Sequence, residues 1–162
     1  MLRIDSEMTT KVTSMIKTKS IYKAKEESDG IRILVTRFYP RGVKKDHFDY
    51  WIRDLSPSIE LLKGYKSGSR SWDEFTIALL SEFRDNANSL EIIHKLHTQS
   101  NWNNITLLCY EKDGSLCHRH LLRDIISDPS LLNSHFVSEY TDNHKRCPVE
   151  KHVSHEEACV IP

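Results

Sequence analysis

The chain has 162 residues, 23 Lys and Arg against 23 Asp and Glu, and 38% hydrophobic and 28% charged residues. That length suits one domain with its own core, and zero net charge argues against binding nucleic acid or membrane by bulk charge alone. No apolar run approaches a membrane span, residues 1–14 hold no secretory apolar segment, and four cysteines are no disulfide scaffold, so a cytoplasmic protein is expected.

Residues 1–14 read as a polar extension. Residues 15–22 alternate apolar and polar as a half-buried strand does. Ile31-Arg32-Ile33-Leu34-Val35-Thr36-Arg37-Phe38 is β-branched enough for an interior strand, and Pro40 and Gly42 break it. Phe48, Trp51, Ile52 and Leu55 follow at helical spacing and predict a helix that Pro57 ends. Ser58 can cap a short helix to about Tyr65. Ser71, with Glu74 three residues on, has the capping-box pattern of a longer helix whose stripe is Trp72, Phe75, Leu79 and Phe83.

A further helix carries Leu90, Ile93 and Leu96. Ile105-Thr106-Leu107-Leu108-Cys109-Tyr110 is a second interior strand, Asp113-Gly114 turns the chain, and residues 117–126 are helical up to Asp128-Pro129. Residues 135–137 could form a last short strand. Strand, helix, strand at this spacing predicts right-handed parallel crossovers. The fold class is therefore α/β: a small, mainly parallel sheet flanked by helices, in a single domain over residues 15–137. Residues 138–162 form a tail containing histidine and cysteine.

The order of these segments is specific. Tyr22, Gly30-Ile31-Arg32-Ile33-Leu34-Val35 and Arg37-Phe38-Tyr39-Pro40-Arg41-Gly42 are followed by Trp51, Leu55-Ser56-Pro57-Ser58, Trp72 with Phe75, and Thr106-Leu107-Leu108. This succession resembles the YeaO-like uncharacterised proteins, in the family called domain of unknown function 488, over roughly residues 15–137. Cys109-Tyr110-Glu111 and Cys117-His118-Arg119 resemble that wider family's Cys-x-Glu and Cys-His-Arg pattern. The resemblance implies an α/β fold and a cytoplasmic protein, and supplies no established reaction.

Charge is unevenly spread: residues 11–45 hold ten basic and three acidic residues, and residues 46–93 hold five and nine. Arg37 and Arg41 leave the C-terminal end of an interior strand, where ligands gather in parallel sheets. They could clamp a phosphate or carboxylate beside Gly42, whose backbone allows close approach; the alternative is a structural turn whose arginines pair with nearby carboxylates. Cys117, at a helix start beside His118 and Arg119, could be an activated thiol. His118 could be a general acid or base oriented by Glu111; a buried, inert Cys117 is the competing reading.

A Cys109–Cys117 redox pair is disfavoured, because the separation is not the compact Cys-x-x-Cys motif. Cys147, His152, His155 and Cys159 in the tail are zinc donors by type, but their spacing matches no standard finger, so no metal site is assigned. No cofactor is implied either: phosphate-loop, dinucleotide, zinc-protease and nucleophile-elbow motifs are absent from the sequence. The expectation is a cleft lined by Arg37, Arg41, Cys117, His118 and Arg119 that recognises a phosphate-bearing or other anionic ligand: an anionic small molecule such as a nucleotide, or a nucleic acid. A non-catalytic interaction protein, or a zinc-binding tail, is the alternative.

Overall fold

A computed structural model describes residues 15–133 of the chain. The polar extension, the strand expected at residues 135–137 and the tail lie outside the described residues. Among the described residues, four strands form one sheet: β1 (Ile16–Ser20), β2 (Ile31–Leu34), β3 (Tyr50–Trp51) and β4 (Ile105–Cys109). Their order is β1-β4-β2-β3, and every neighbouring pair is parallel. The last strand in sequence thus lies between the first two, with Ser20 beside Cys109 and Leu34 beside Leu108. All five residues of β4 are buried, as a strand covered on both faces requires.

Four helices cover one face: α1 (Ile59–Lys66), α2 (Trp72–Asp85), α3 (Ala87–Gln99) and α4 (His118–Ser127). Ile33, Val35, Ile105 and Leu107 meet them in the main core, together with Leu79, Phe83, Ile93, Leu122 and Ile125. By the two-residue period of a strand, Cys109 falls on this helical side too. The opposite face is a smaller cluster of Ile21, Leu34 and Leu108 under Val43, Phe48 and Trp51. The helix starts follow local chemistry. Ser58 accepts from the Leu61 amide at 3.1 Å, and Ser71 and Glu74 complete a reciprocal capping box.

The helix expected over Phe48–Leu55 does not form. The segment is instead a 3-10 turn at Lys45–His47, the two residues of β3, and a second 3-10 turn at Arg53–Leu55. The edge of β2 explains this. Its backbone groups need partners, and an extended segment supplies them: Asp49 N donates to Arg32 O at 2.8 Å and Ile52 N to Leu34 O at 2.9 Å. The apolar residues split between the two faces, with Phe48 and Trp51 on the smaller cluster and Ile52 and Leu55 on the main core. Helix-like spacing was therefore produced by a strand flanked by turns.

At the N-terminal end of β2 the chain turns through Gly30, at φ +63°. A side chain there would run into the backbone carbonyl of Asn104, so both the φ value and the close approach require glycine. Beside it, Asp29 pairs with Arg32, and both are essentially inaccessible to solvent. Lys19 joins at 3.2 Å, and the Glu26 amide donates to Asp29 Oδ2 at 3.0 Å. This network is at the end of the sheet opposite to Cys109.

Candidate active site

β2 and β4 are adjacent and parallel, so the segments leaving their C-terminal ends, bearing Arg37 and Cys109–Glu111, emerge side by side. Between them and helices α1 and α2 lies a cavity of about 470 Å³, a size that accepts a small molecule. Cys109, Cys117 and His118 line its inner part, all three buried. Phe38, Tyr65, Trp72, Phe75 and Tyr110 supply aromatic wall. Tyr65, Trp72 and Phe75 form one cluster, with Trp72 and Phe75 stacked at 5.1 Å and Tyr65 5.4 Å from Trp72. Lys63 and Lys66, on the last turn of α1, belong to the same lining.

Cys117 is the N-cap residue of α4, but its side chain does not cap the helix. Its Sγ is 3.7 Å from His118 Nδ1. His118 Nε2 is 2.6 Å from the carbonyl oxygen of Val35. A carbonyl only accepts, so Nε2 carries a proton, and Nδ1 is the ring atom that faces the sulfur. The ligand atoms of Cys109, Cys117 and His118 all lie within 4.8 Å of one another.

The two thiols are electrostatically linked. A hydrogen bond from Cys117 holds the Cys109 thiol well below its ordinary value of 9.0, against the effect of burial, and the His118 imidazole adds to this. The same contact and burial push the Cys117 thiol up. Of the pair, Cys109 is therefore the thiol that gives up its proton more readily. Burial likewise raises the Tyr65 hydroxyl, with the Glu111 carboxylate acting in the same direction.

The arginines are placed differently from a simple clamp. Arg37 lines the cavity, but its Nε donates to Pro57 O and its Nη2 to Ser56 O, each at 2.9 Å. Arg119 is wholly buried; Nη1 donates to Glu111 O at 2.7 Å and Nη2 to Lys112 O at 3.0 Å. It fastens the loop after β4 to α4. Arg41 and Gly42 are exposed and are not among the residues that line the cavity. Glu111 lines it, while the hydrogen bond that orients His118 comes from Val35.

The structure thus brings Arg37, Glu111, Cys117 and His118 to one cleft and adds Cys109, which sequence spacing had set aside. Lys63, Lys66, Tyr65 and Trp72 were not legible as site residues. They are remote in sequence, and Trp72 reads as helix packing, which it also performs.

Fold and site together define a small parallel α/β protein with a thiol–imidazole cluster under an aromatic cleft. The family model described as "DUF488-N3a: Active DUF488-N3 subclade" matches residues 16–130, and the chain belongs to that family. It is 39% identical over 69 residues to the uncharacterized protein YeaO of Escherichia coli, a match covering 41% of this chain and 60% of YeaO. It is 32% identical over 79 residues to the uncharacterized protein Mb3100c of Mycobacterium bovis, covering 48% of this chain and 67% of that protein. The uncharacterized protein Rv3073c of Mycobacterium tuberculosis matches over the same length at the same identity. No solved structure matches the chain significantly. Among the described residues no helix is long and apolar enough to cross a membrane.

Proposed function

We propose that this protein binds a small, flat, largely apolar molecule carrying an anionic group, and that Cys109, Cys117 and His118 act on its inner end. The observation that carries this reading is the convergence of the three groups at the floor of an aromatic cavity, at the strand ends where parallel sheets bind ligands. Aromatic walls favour a planar ring, since stacking adds to the area buried. His118 is held with Nδ1 toward Cys117 Sγ, and Glu111, which also lines the cavity, is assigned as a second proton acceptor.

The anionic group is assigned to the side bearing Lys63 and Lys66, with Arg37 Nη1 as a further donor left over from its two backbone bonds. Aromatic carboxylates have this form, and nucleoside monophosphates share its flat ring and anionic group. Free, buried thiols suit a reducing cytoplasm.

Titration of the full-length protein with such anions, followed by tryptophan fluorescence or calorimetry, tests the assignment. Lys63→Ala combined with Lys66→Ala is expected to weaken binding about tenfold, in line with losing charge-assisted contacts worth roughly 1.5 kcal/mol. Arg41→Ala should leave the affinity unchanged. The reverse pattern would move the anion site to the loop bearing Arg41 and Gly42.

A further inference from the structure

Two cysteines and a histidine, each buried, face one another at the floor of the cavity. Their sequence spacing hides this, because Cys109 ends a strand while Cys117 and His118 open the next helix. They meet because Arg119 folds the intervening loop back against α4.

The arrangement has three features of a metal centre. First, the donors already lie within 4.8 Å of one another, and Cys117 Sγ and His118 Nδ1 are 3.7 Å apart. Around tetrahedral zinc, bonds of about 2.3 Å to sulfur and 2.0–2.1 Å to nitrogen set donors roughly 3.5–3.8 Å apart. Small side-chain rotations therefore close the set. Second, His118 gives its other ring nitrogen to a backbone carbonyl, the partner that fixes tautomer and ring orientation in metal-bound histidines. Third, two thiolates and a neutral imidazole balance a divalent cation, leaving no net charge in a buried place.

We infer that Cys109 Sγ, Cys117 Sγ and His118 Nδ1 form a zinc site with its fourth position open to the cavity. Three protein ligands plus an open position is the pattern of catalytic rather than structural zinc. The fourth position would hold water, or an oxygen or nitrogen atom of the bound molecule. The ligand then meets the metal rather than a free thiol, in a cavity that Glu111 also lines. This inference rests on the cleft reading above and names what the cluster holds.

The test is the metal content of the full-length protein, purified without chelator and then loaded with zinc or cobalt(II). Because the tail has its own Cys and His residues, two double variants are compared: Cys109→Ser with Cys117→Ser, and Cys147→Ser with Cys159→Ser. Wild type and the tail variant are expected to hold about one equivalent of zinc. Their cobalt forms should show tetrahedral d–d bands and thiolate charge-transfer absorption, and the variant lacking Cys109 and Cys117 should show neither.

Should that variant fail to fold, the cobalt spectrum of the tail variant decides: charge transfer from two thiolates, with d–d bands shifted by added imidazole, supports the site and its open position. Metal-free wild type after loading, or zinc lost with the tail cysteines, overturns the inference. Binding of aromatic anions that depends on Lys63 and Lys66 in metal-free protein would then leave the cleft reading standing, and its absence as well would remove both.

Discussion

Replacing Asp29 with Asn is expected to lower stability by about 3–5 kcal/mol, the usual cost of removing one partner of a buried ion pair. Arg32 is 0% exposed, and Asp29 is its carboxylate partner. Without that charge the guanidinium keeps its bond from Nε to His47 O, but among the described residues no other carboxylate is paired with it. Against total stabilities of about 5–15 kcal/mol for a domain, this effect is large. The midpoint of urea unfolding measures it. Because the pair is shielded from solvent, added salt should recover little of the difference.

The same carboxyl makes a pH prediction. Burial alone would raise it, but hydrogen bonds from the Glu26 amide, Lys19 and Arg32 outweigh burial and hold it below its ordinary value of 3.8. The folded state therefore binds this proton less readily than the unfolded chain does. Its contribution to stability is complete above about pH 4, the unfolded value, and disappears as pH falls through the lower folded value. Asp29→Asn should flatten that part of the acid limb of the stability curve.

Arg119→Met is expected to cost roughly 3 kcal/mol and to weaken ligand binding tenfold or more. Methionine fills a similar length, but the carbonyls of Glu111 and Lys112 lose charged donors in a buried setting. The loop at residues 110–116 then loses its fastening, and with it the placing of Cys109 and Glu111 against Cys117. Arg119→Lys should recover stability only in part, since one ammonium does not reproduce the planar fork that spans both carbonyls. A binding deficit much larger than the stability loss explains would mark Arg119 as a positioning residue. Unchanged affinity in a folded Arg119→Met protein would deny it that role.

Much of the fold could be read from the sequence because local signals agreed with the tertiary structure. The Ser71–Glu74 box, the buried run at Ile105–Cys109 and the Asp128-Pro129 stop are each decided within a few residues. At Phe48–Leu55 the spacing fits a helix, while the choice is made by the edge of β2, whose backbone groups an extended segment satisfies. Parallel pairing also hid part of the site. That Arg37 and Cys109 leave neighbouring strands depended on β4 inserting between β1 and β2, which no local pattern encodes.

The cysteines illustrate the same limit. Eight residues apart, they suggested no pair, yet the loop that Arg119 holds brings them together. The arginines were legible as charge but not as geometry. Arg37 and Arg119 spend their donors on backbone carbonyls, which sequence does not display.

A flat anion seated in the cleft, as proposed, meets the Cys109–Cys117–His118 cluster. The most direct measurement is a carbon–proton NMR spectrum of full-length protein labelled with ¹³C at cysteine Cβ, recorded while an aromatic carboxylate or nucleoside monophosphate is added. The Cys109 and Cys117 signals are expected to move together and saturate with the binding isotherm, while those of Cys147 and Cys159 stay in place. An anion that binds with the same isotherm but leaves Cys109 and Cys117 unmoved would contradict it.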